Sequence, residues 1–302
     1  YLHAPNPYAS EAYLGETLLV DRQPGVPHRV YAGRRGYGTM LSAYTTLDRL
    51  DLLHMLRPSR PRIRTIPYLV TVHDIKLVGL SEEGRQIERA GLSTYETRVI
   101  REAAGLITVS ESTARDLAVE FGDSLSIPIR PIHHGVSAEY FAGQHQAQAI
   151  RQKYGLERYI LFVGTLQYRK NLPRLIEAFA KVKRAHLIPH KLVLAGRDGW
   201  GAELVYAAAR EHGVESDVLF PGYVPENDLP GLYAGAEVFA FVSLHEGFGI
   251  PLLEAMAAGT VVLASSLFSI PEVAGDAAMY VDPYNVENMA AVLWRSIDDR
   301  AL

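Results

Sequence analysis

Six short apolar runs recur between helical segments in the second half of the chain. They are Tyr159 to Val163, Lys191 to Ala195, Val218 to Phe220, Val238 to Val242, Val261 to Ala264 and Met279 to Val281. Regular alternation of strand and helix predicts a parallel sheet whose two faces are both covered. A chain of 302 residues with 48% hydrophobic composition can bury two cores of ordinary domain size. The polar stretch from Ser137 to Glu157, with Gln144, Gln146, Gln148 and Gln152, is the expected crossover between them. The predicted boundary lies near residue 138, giving domains 1–138 and 139–302. No internal repeat stands out.

The first half is read the same way. Pro67 to Asp74 is expected to be a buried strand that delivers His73 and Asp74 to a loop, and Leu106 to Ser110 a second strand leading to a helix capped by Ser112. Ile129 to Val136 then forms the last strand before the crossover. On that strand His133 and His134 point to opposite faces, which argues against a shared metal.

Two loops at the carboxyl ends of the later strands carry the chemistry. The run Val238 to Val242 feeds Glu246-Gly-Phe-Gly-Ile-Pro-Leu-Leu-Glu254, in which Pro251 suits the first turn of a helix because its missing N–H would go unpaired there anyway. Gly247 and Gly249 let the backbone approach a ligand closely, and a helix start offers N–H groups to an anion. Glu246 can accept hydrogen bonds from sugar hydroxyls, and Glu254, about one turn into the helix, can take both hydroxyls of a ribose. The same nine residues also fit a plain turn followed by a helix whose dipole favours an early Glu. The other loop, Gly164 to Asn171, carries Arg169 and Lys170 just before a helix that Pro173 opens, with Leu175, Ile176, Phe179 and Val182 on its apolar face. Two cations facing a helix amino end suit a diphosphate leaving group, although an Arg-Lys pair taken alone is more often a solvated one.

Composition narrows the remaining classes. There is no cysteine, so disulfides and thiolate metal sites are excluded, and a cytosolic setting is expected in the absence of a charged-then-apolar leader. A formal net charge of −4 gives no general attraction for nucleic acid. The weakly polar run from Gly247 to Pro271 has the length of a membrane span, but it contains Glu254, several glycines and an interior proline and reads as loop, helix and strand. One basic cluster, Arg57, Arg60, Arg62 and Arg64, interleaved with Pro58 and Pro61, fits either a solvated loop or a surface for an anionic, membrane-held acceptor.

Residues 159 to 297 resemble the nucleotide-binding half of the retaining glycosyltransferases of family 4. The resemblance rests on the order and spacing of Phe162 to Asn171, Leu192 to Gly196, Phe220 to Val224, Glu246 to Gly259 and Pro271 to Gly275. It implies an α/β chain of the GT-B type, with two Rossmann-like domains whose parallel sheets face each other across a cleft. It also implies that Glu246 contacts the transferred sugar, Glu254 the ribose, and Arg169 with Lys170 the diphosphate. Backbone groups of Gly247, Phe248 and Gly249 complete that seat, Tyr223 and Val224 border the base, and His73 faces the reaction centre from the first domain. Many relatives carry a Gly-Arg pair in the first loop where this chain has Gly164-Thr165, so no role passes to that position. Compared with the family, both ends of this sequence read as shortened.

The implied function is transfer of a hexose of mannose or glucose type, from a GDP- or UDP-linked donor to a hydroxyl acceptor such as a glycan or a lipid-linked saccharide. No cofactor or metal is expected, since no thiolate set, no histidine pair on one face and no Asp-x-Asp motif is present. Two other readings keep the fold: a non-catalytic sugar-nucleotide binder or assembly protein, and a sugar-nucleotide epimerase or phosphorylase.

Overall fold

The structure, a computed structural model, describes residues 51–58, 66–75 and 92–298. Arg60, Arg62 and Arg64 and the opening residues 1–8 lie outside the described residues. The chain divides into two compact units, Tyr1–His133 and His134–Leu302.

In the first unit β1 (Leu53–Met55), β2 (Tyr68–Val72), β3 (Gly105–Thr108) and β4 (Ile129–Pro131) pair in chain order, all parallel. Helix α1 (Thr94–Arg101) precedes β3 and α2 (Glu111–Phe121) follows it. Leu53, Met55, Val70, Val72, Ile100, Leu106 and Leu117 form the core, none more than 2% exposed. A capping box starts α1: the Ser93 hydroxyl accepts from the Glu96 N–H at 3.3 Å, and the Glu96 carboxylate accepts from the Ser93 N–H at 3.0 Å.

Two expectations are corrected in this unit. The cap of α2 is Ser110, not Ser112: Ser110 is the last residue with extended backbone, and its hydroxyl accepts from the Thr113 N–H at 2.9 Å. Ser112 is the second residue of the helix itself and so does not precede the first turn as a cap must. The strand expected to run to Val136 stops at Pro131, so His133 and His134 lie beyond β4 and strand alternation does not set their directions.

The second unit holds a six-stranded sheet, all parallel, built from β5 (Tyr159–Val163), β6 (Lys191–Ala195), β7 (Val218–Gly222), β8 (Val238–Phe241), β9 (Val261–Ser265) and β10 (Ala278–Val281). Their spatial order is β10-β9-β8-β5-β6-β7. The chain therefore builds outward from β5 to β7, returns to place β8 on the other side of β5, and continues outward to β10. That reversal between β5 and β8 is the switch point at which open parallel sheets leave a crevice for ligands. Helices α3 (Ala147–Tyr154), α4 (Leu172–His186), α5 (Ala202–Glu211), α6 (Leu229–Gly235), α7 (Ile250–Ala257), α8 (Ile270–Ala274) and α9 (Val286–Asp298) complete the unit.

Burial on both faces explains the near-continuous apolar strands. Tyr159, Ile160, Leu161 and Phe162 of β5 are fully buried, as are Leu175, Ile176 and Phe179 on the inner face of α4. Each such aliphatic or Phe side chain stabilises the fold by about 1.5–3 kcal/mol, and truncating Phe179 to Ala costs about 3–5 kcal/mol. The polar segment that follows Ser137 is helical as well. It forms a 3₁₀ helix, Ala138–His145, and then α3, both packed against α6.

At the amino ends of the central strands a charged cluster fixes their mutual placement. Glu237, just before β8, accepts from Arg158 Nε at 2.6 Å and Nη2 at 2.9 Å, while His190, just before β6, places Nε2 2.9 Å from the same carboxylate. The Arg158 hydrogen bonds, aided by His190 and opposed by partial burial, hold the Glu237 carboxyl down to about 2. A depressed carboxyl contributes stability above its unfolded value and loses it as the pH falls through the folded one. Glu237→Gln is therefore expected to lower the unfolding midpoint of the second unit at neutral pH, and the gap to wild type should close between pH 4.5 and about 2. Both tryptophans, Trp200 and Trp294, lie in this unit, so their fluorescence in thermal melts checks the outcome.

Candidate active site

The strands on either side of the switch point end in the two loops singled out from the sequence. Loop 164–171 follows β5 and loop 242–249 follows β8, and the backbone ties them together: the Leu244 N–H donates to the Arg169 carbonyl at 2.8 Å. Asn171, in left-handed conformation at φ 60°, ends the first loop. Its amide nitrogen donates to the Val242 carbonyl at 3.2 Å and the Pro283 carbonyl at 2.7 Å, linking the start of α4 to the end of β8.

Within this frame Arg169, Lys170 and Glu246 meet. Lys170 Nζ lies 2.5 Å from Glu246 Oε1, and Arg169 Nη1 lies 2.7 Å from Glu246 Oε2 and 2.9 Å from the His245 carbonyl. Lys170 and Glu246 are buried, while the Arg169 side chain is about one third exposed. Burial pulls the Glu246 carboxyl upward, but the Lys170 and Arg169 charges and hydrogen bonds outweigh it and hold the group below the ordinary carboxylate range. Removing one partner from a buried charge pair costs about 3–5 kcal/mol, because the other is left uncompensated. Two cations thus share one carboxylate. The family resemblance implies contacts of the cations and the carboxylate with different parts of a donor; in the structure they also hold one another.

Beside this cluster lies a short glycine-containing strip. Gly247, Phe248 and Gly249 are buried, and Gly249, at φ 109°, turns the chain into α7, with Pro251 in the first turn. A residue with a side chain is strained at that φ. Where β5 and β6 end, Gly196 is required by contact: a Cβ there would lie 1.9 Å from the Gly164 carbonyl oxygen. That approach lets the two loops pair further, with the Leu166 N–H donating to the Arg197 carbonyl at 2.8 Å and the Gly199 N–H to the Leu166 carbonyl at 2.9 Å.

Glu254 lies one turn into α7 and accepts from the Tyr233 hydroxyl at 2.7 Å. Burial and the nearby Glu254 charge raise the hydroxyls of both Tyr140 and Tyr233 far above their usual value, so both phenols stay protonated, and Tyr233 donates to this carboxylate. A carboxylate has about four acceptor sites, so Glu254 keeps capacity for further hydroxyls. The sequence did not mark Tyr140 or Tyr233, since neither falls at a helical spacing from Glu254 and Tyr140 lies in the polar stretch read as a crossover.

Beyond β7, Tyr223 is exposed and Val224 buried. The Arg197 guanidinium lies 4.6 Å from the Tyr223 ring centre, a stacked pair that sequence reading also missed. In the first unit His73 is exposed just after β2, with Nε2 2.8 Å from the Leu56 carbonyl. A carbonyl only accepts, so that nitrogen carries the proton. Arg57, partly buried, follows β1 in the same unit. Among the described residues no cluster of His, Asp and Glu is placed to hold a metal ion, and no helix is long and apolar enough to cross a membrane.

Comparison with known proteins identifies the family and the fold. The family model for glycosyl transferases group 1 matches residues 144–302. The O-antigen chain mannosyltransferase B of Escherichia coli is 38% identical over 152 residues, which cover 50% of this chain and 40% of that protein. An uncharacterised glycosyltransferase of Methanocaldococcus jannaschii is 30% identical over 261 residues, covering 82% of this chain and 64% of its own length. The chain thus spans less than two thirds of either relative. Among solved structures, HepE of Anabaena in complex with UDP and glucose aligns with a TM-score of 0.67 at 20% identity, over 90% of this chain and 77% of that one. The two parallel α/β sheets are those of the GT-B glycosyltransferases. On its matched half and its relatives, the chain belongs to the glycosyl transferases group 1 family.

Proposed function

We propose that the protein is a retaining hexosyltransferase that moves a sugar of mannose or glucose type from a nucleotide diphosphate donor to a hydroxyl acceptor. The observation that carries this reading is the buried Glu246 held between Lys170 and Arg169 at the switch point, with the start of α7 beside it. Support comes from the mannosyltransferase among the relatives and from the UDP and glucose bound by HepE.

The chemistry follows from charge. As the bond between the sugar and the diphosphate breaks, negative charge grows on the leaving oxygen, and preorganised cations and helix N–H groups stabilise it more than the ground state. Lys170 and Arg169 give up part of their hold on Glu246 to the diphosphate, which frees carboxylate oxygen for the hydroxyls of the sugar. The sugar passes through an oxocarbenium-like state. The acceptor oxygen then bonds to the anomeric carbon on the face the diphosphate leaves, and its proton passes to a phosphate oxygen. Glu254, steadied by Tyr233, takes the ribose, and Tyr223 with Val224 borders the base. Neutralisation by fixed cations makes a divalent ion unnecessary in this scheme.

Three outcomes test the reading. Lys170→Ala should lower kcat/KM by about 10²-fold, the scale of one lost electrostatic stabiliser, and weaken diphosphate affinity in calorimetry; unchanged values for both would remove Lys170 from the phosphate seat. Glu246→Gln should impair transfer far more than binding of bare nucleotide, whereas Glu254→Ala should show first in nucleotide affinity. Equal effects on bare nucleotide binding would end that division of roles. Transfer from GDP-mannose or UDP-glucose should also survive exhaustive chelation. A rate abolished by chelator and restored by a divalent ion would sink the metal-free scheme, and silence with every donor would favour a non-catalytic binder.

A further inference from the structure

One buried hydroxyl reaches the donor loop from outside it. Ser269, fully buried in the turn between β9 and α8, has its Oγ 2.8 Å from the Glu246 carbonyl and 3.0 Å from the Phe248 carbonyl, and donates its single proton between them. Ser269 also occupies the cap position of α8, where a serine normally accepts from an N–H of the first turn, yet it makes no capping bond. The hydroxyl is committed to the loop instead of to its own helix.

The residue before it carries a second mark of the same commitment. Phe268 adopts φ 55°, a left-handed conformation that is an outlier for a bulky side chain and persists only where surrounding structure imposes it. In that conformation its ring meets the His245 ring edge-on, with centroids 4.4 Å apart. Phe268 and Ser269 thus grip loop 242–249 on both sides of Glu246, one by ring contact and one by hydrogen bond.

The bond to two carbonyls fixes more than position. In a trans peptide the C=O and the following N–H point opposite ways, and no cis peptide occurs among the described residues. With the Glu246 and Phe248 carbonyls both turned to Ser269, the Gly247 and Gly249 N–H groups are turned to the opposite side of the strip. Resting on the donor reading above, we propose that Ser269, set by the left-handed turn at Phe268, is a positioning residue for transfer: it aims the peptide planes of loop 246–249 and the Glu246 carboxylate at the sugar diphosphate.

Two variants and four measurements test this. Ser269→Ala should lower kcat by about tenfold to a hundredfold, the scale of a small misplacement of reacting groups, and weaken GDP-mannose or UDP-glucose affinity while leaving affinity for the matching nucleoside monophosphate near wild type. Parallel losses in both affinities would mark a merely structural serine and overturn the proposal. Phe268→Gly relieves the left-handed strain, so its thermal midpoint should equal or exceed that of wild type while kcat falls; unchanged kcat in both variants would overturn the clasp. Hydrogen exchange needs no ligand: in Ser269→Ala the peptide covering residues 246–250 should exchange faster while the rest of the second unit does not, and unchanged exchange there would count against the proposal. If wild-type protein takes no nucleotide sugar, the donor reading fails, and the exchange result still decides whether Ser269 holds the loop.

Discussion

A carboxylate shared by two cations in a buried crevice tolerates little movement, and the rest of the second unit is arranged around that constraint. Glu246 can stay ionised out of water only while Lys170 and Arg169 stay within hydrogen-bond reach, and those three residues come from loops on two different strands. Neighbouring strands at the switch point supply the common base. Asn171 and the bond from the Leu244 N–H to the Arg169 carbonyl then lock one loop to the other. Such an ion cluster is weak evidence for net stability, since taking three charges out of water offsets much of their attraction. Its structural effect is to fix three charged side chains, from loops on two strands, in one mutual geometry.

Much of this was legible in the sequence because it is local. The six apolar runs after residue 155 fall on the six strands to within a residue or two, and Pro173 and Pro251 mark the first turns of α4 and α7. Glu246, Lys170 and Arg169 could be singled out from their place after strands and before helices. Their pairing could not, because it depends on β8 lying beside β5, a neighbour relation no periodicity records. The same limit hid Tyr233 from Glu254, Arg197 from Tyr223, and Ser269 from loop 242–249. The misplaced cap at Ser112 and the overlong strand before His133 are boundary errors of another kind, where a polar residue near a strand end satisfies more than one local rule.

Backbone conformation shows where local preference was overruled. Three non-glycine residues among those described have positive φ: Asn171, Leu187 and Phe268. Leu187 ends α4 on the surface, and nothing in the structure explains a leucine there. The other two flank the site. Asparagine tolerates the left-handed region, and Asn171 uses it to aim its amide at the Val242 and Pro283 carbonyls. Phenylalanine does not, so the turn at Phe268 is held by what it contacts rather than by its own preference. Strain of this sort costs about 1–3 kcal/mol and survives only where neighbours over-determine it. The Ser269 hydroxyl, diverted from capping α8, adds to that local cost. A loop that had only to connect β9 to α8 would accept a glycine and a capped helix. Forgoing both is consistent with a segment shaped by the loop it grips, and places the placement of Glu246 above the stability of the turn.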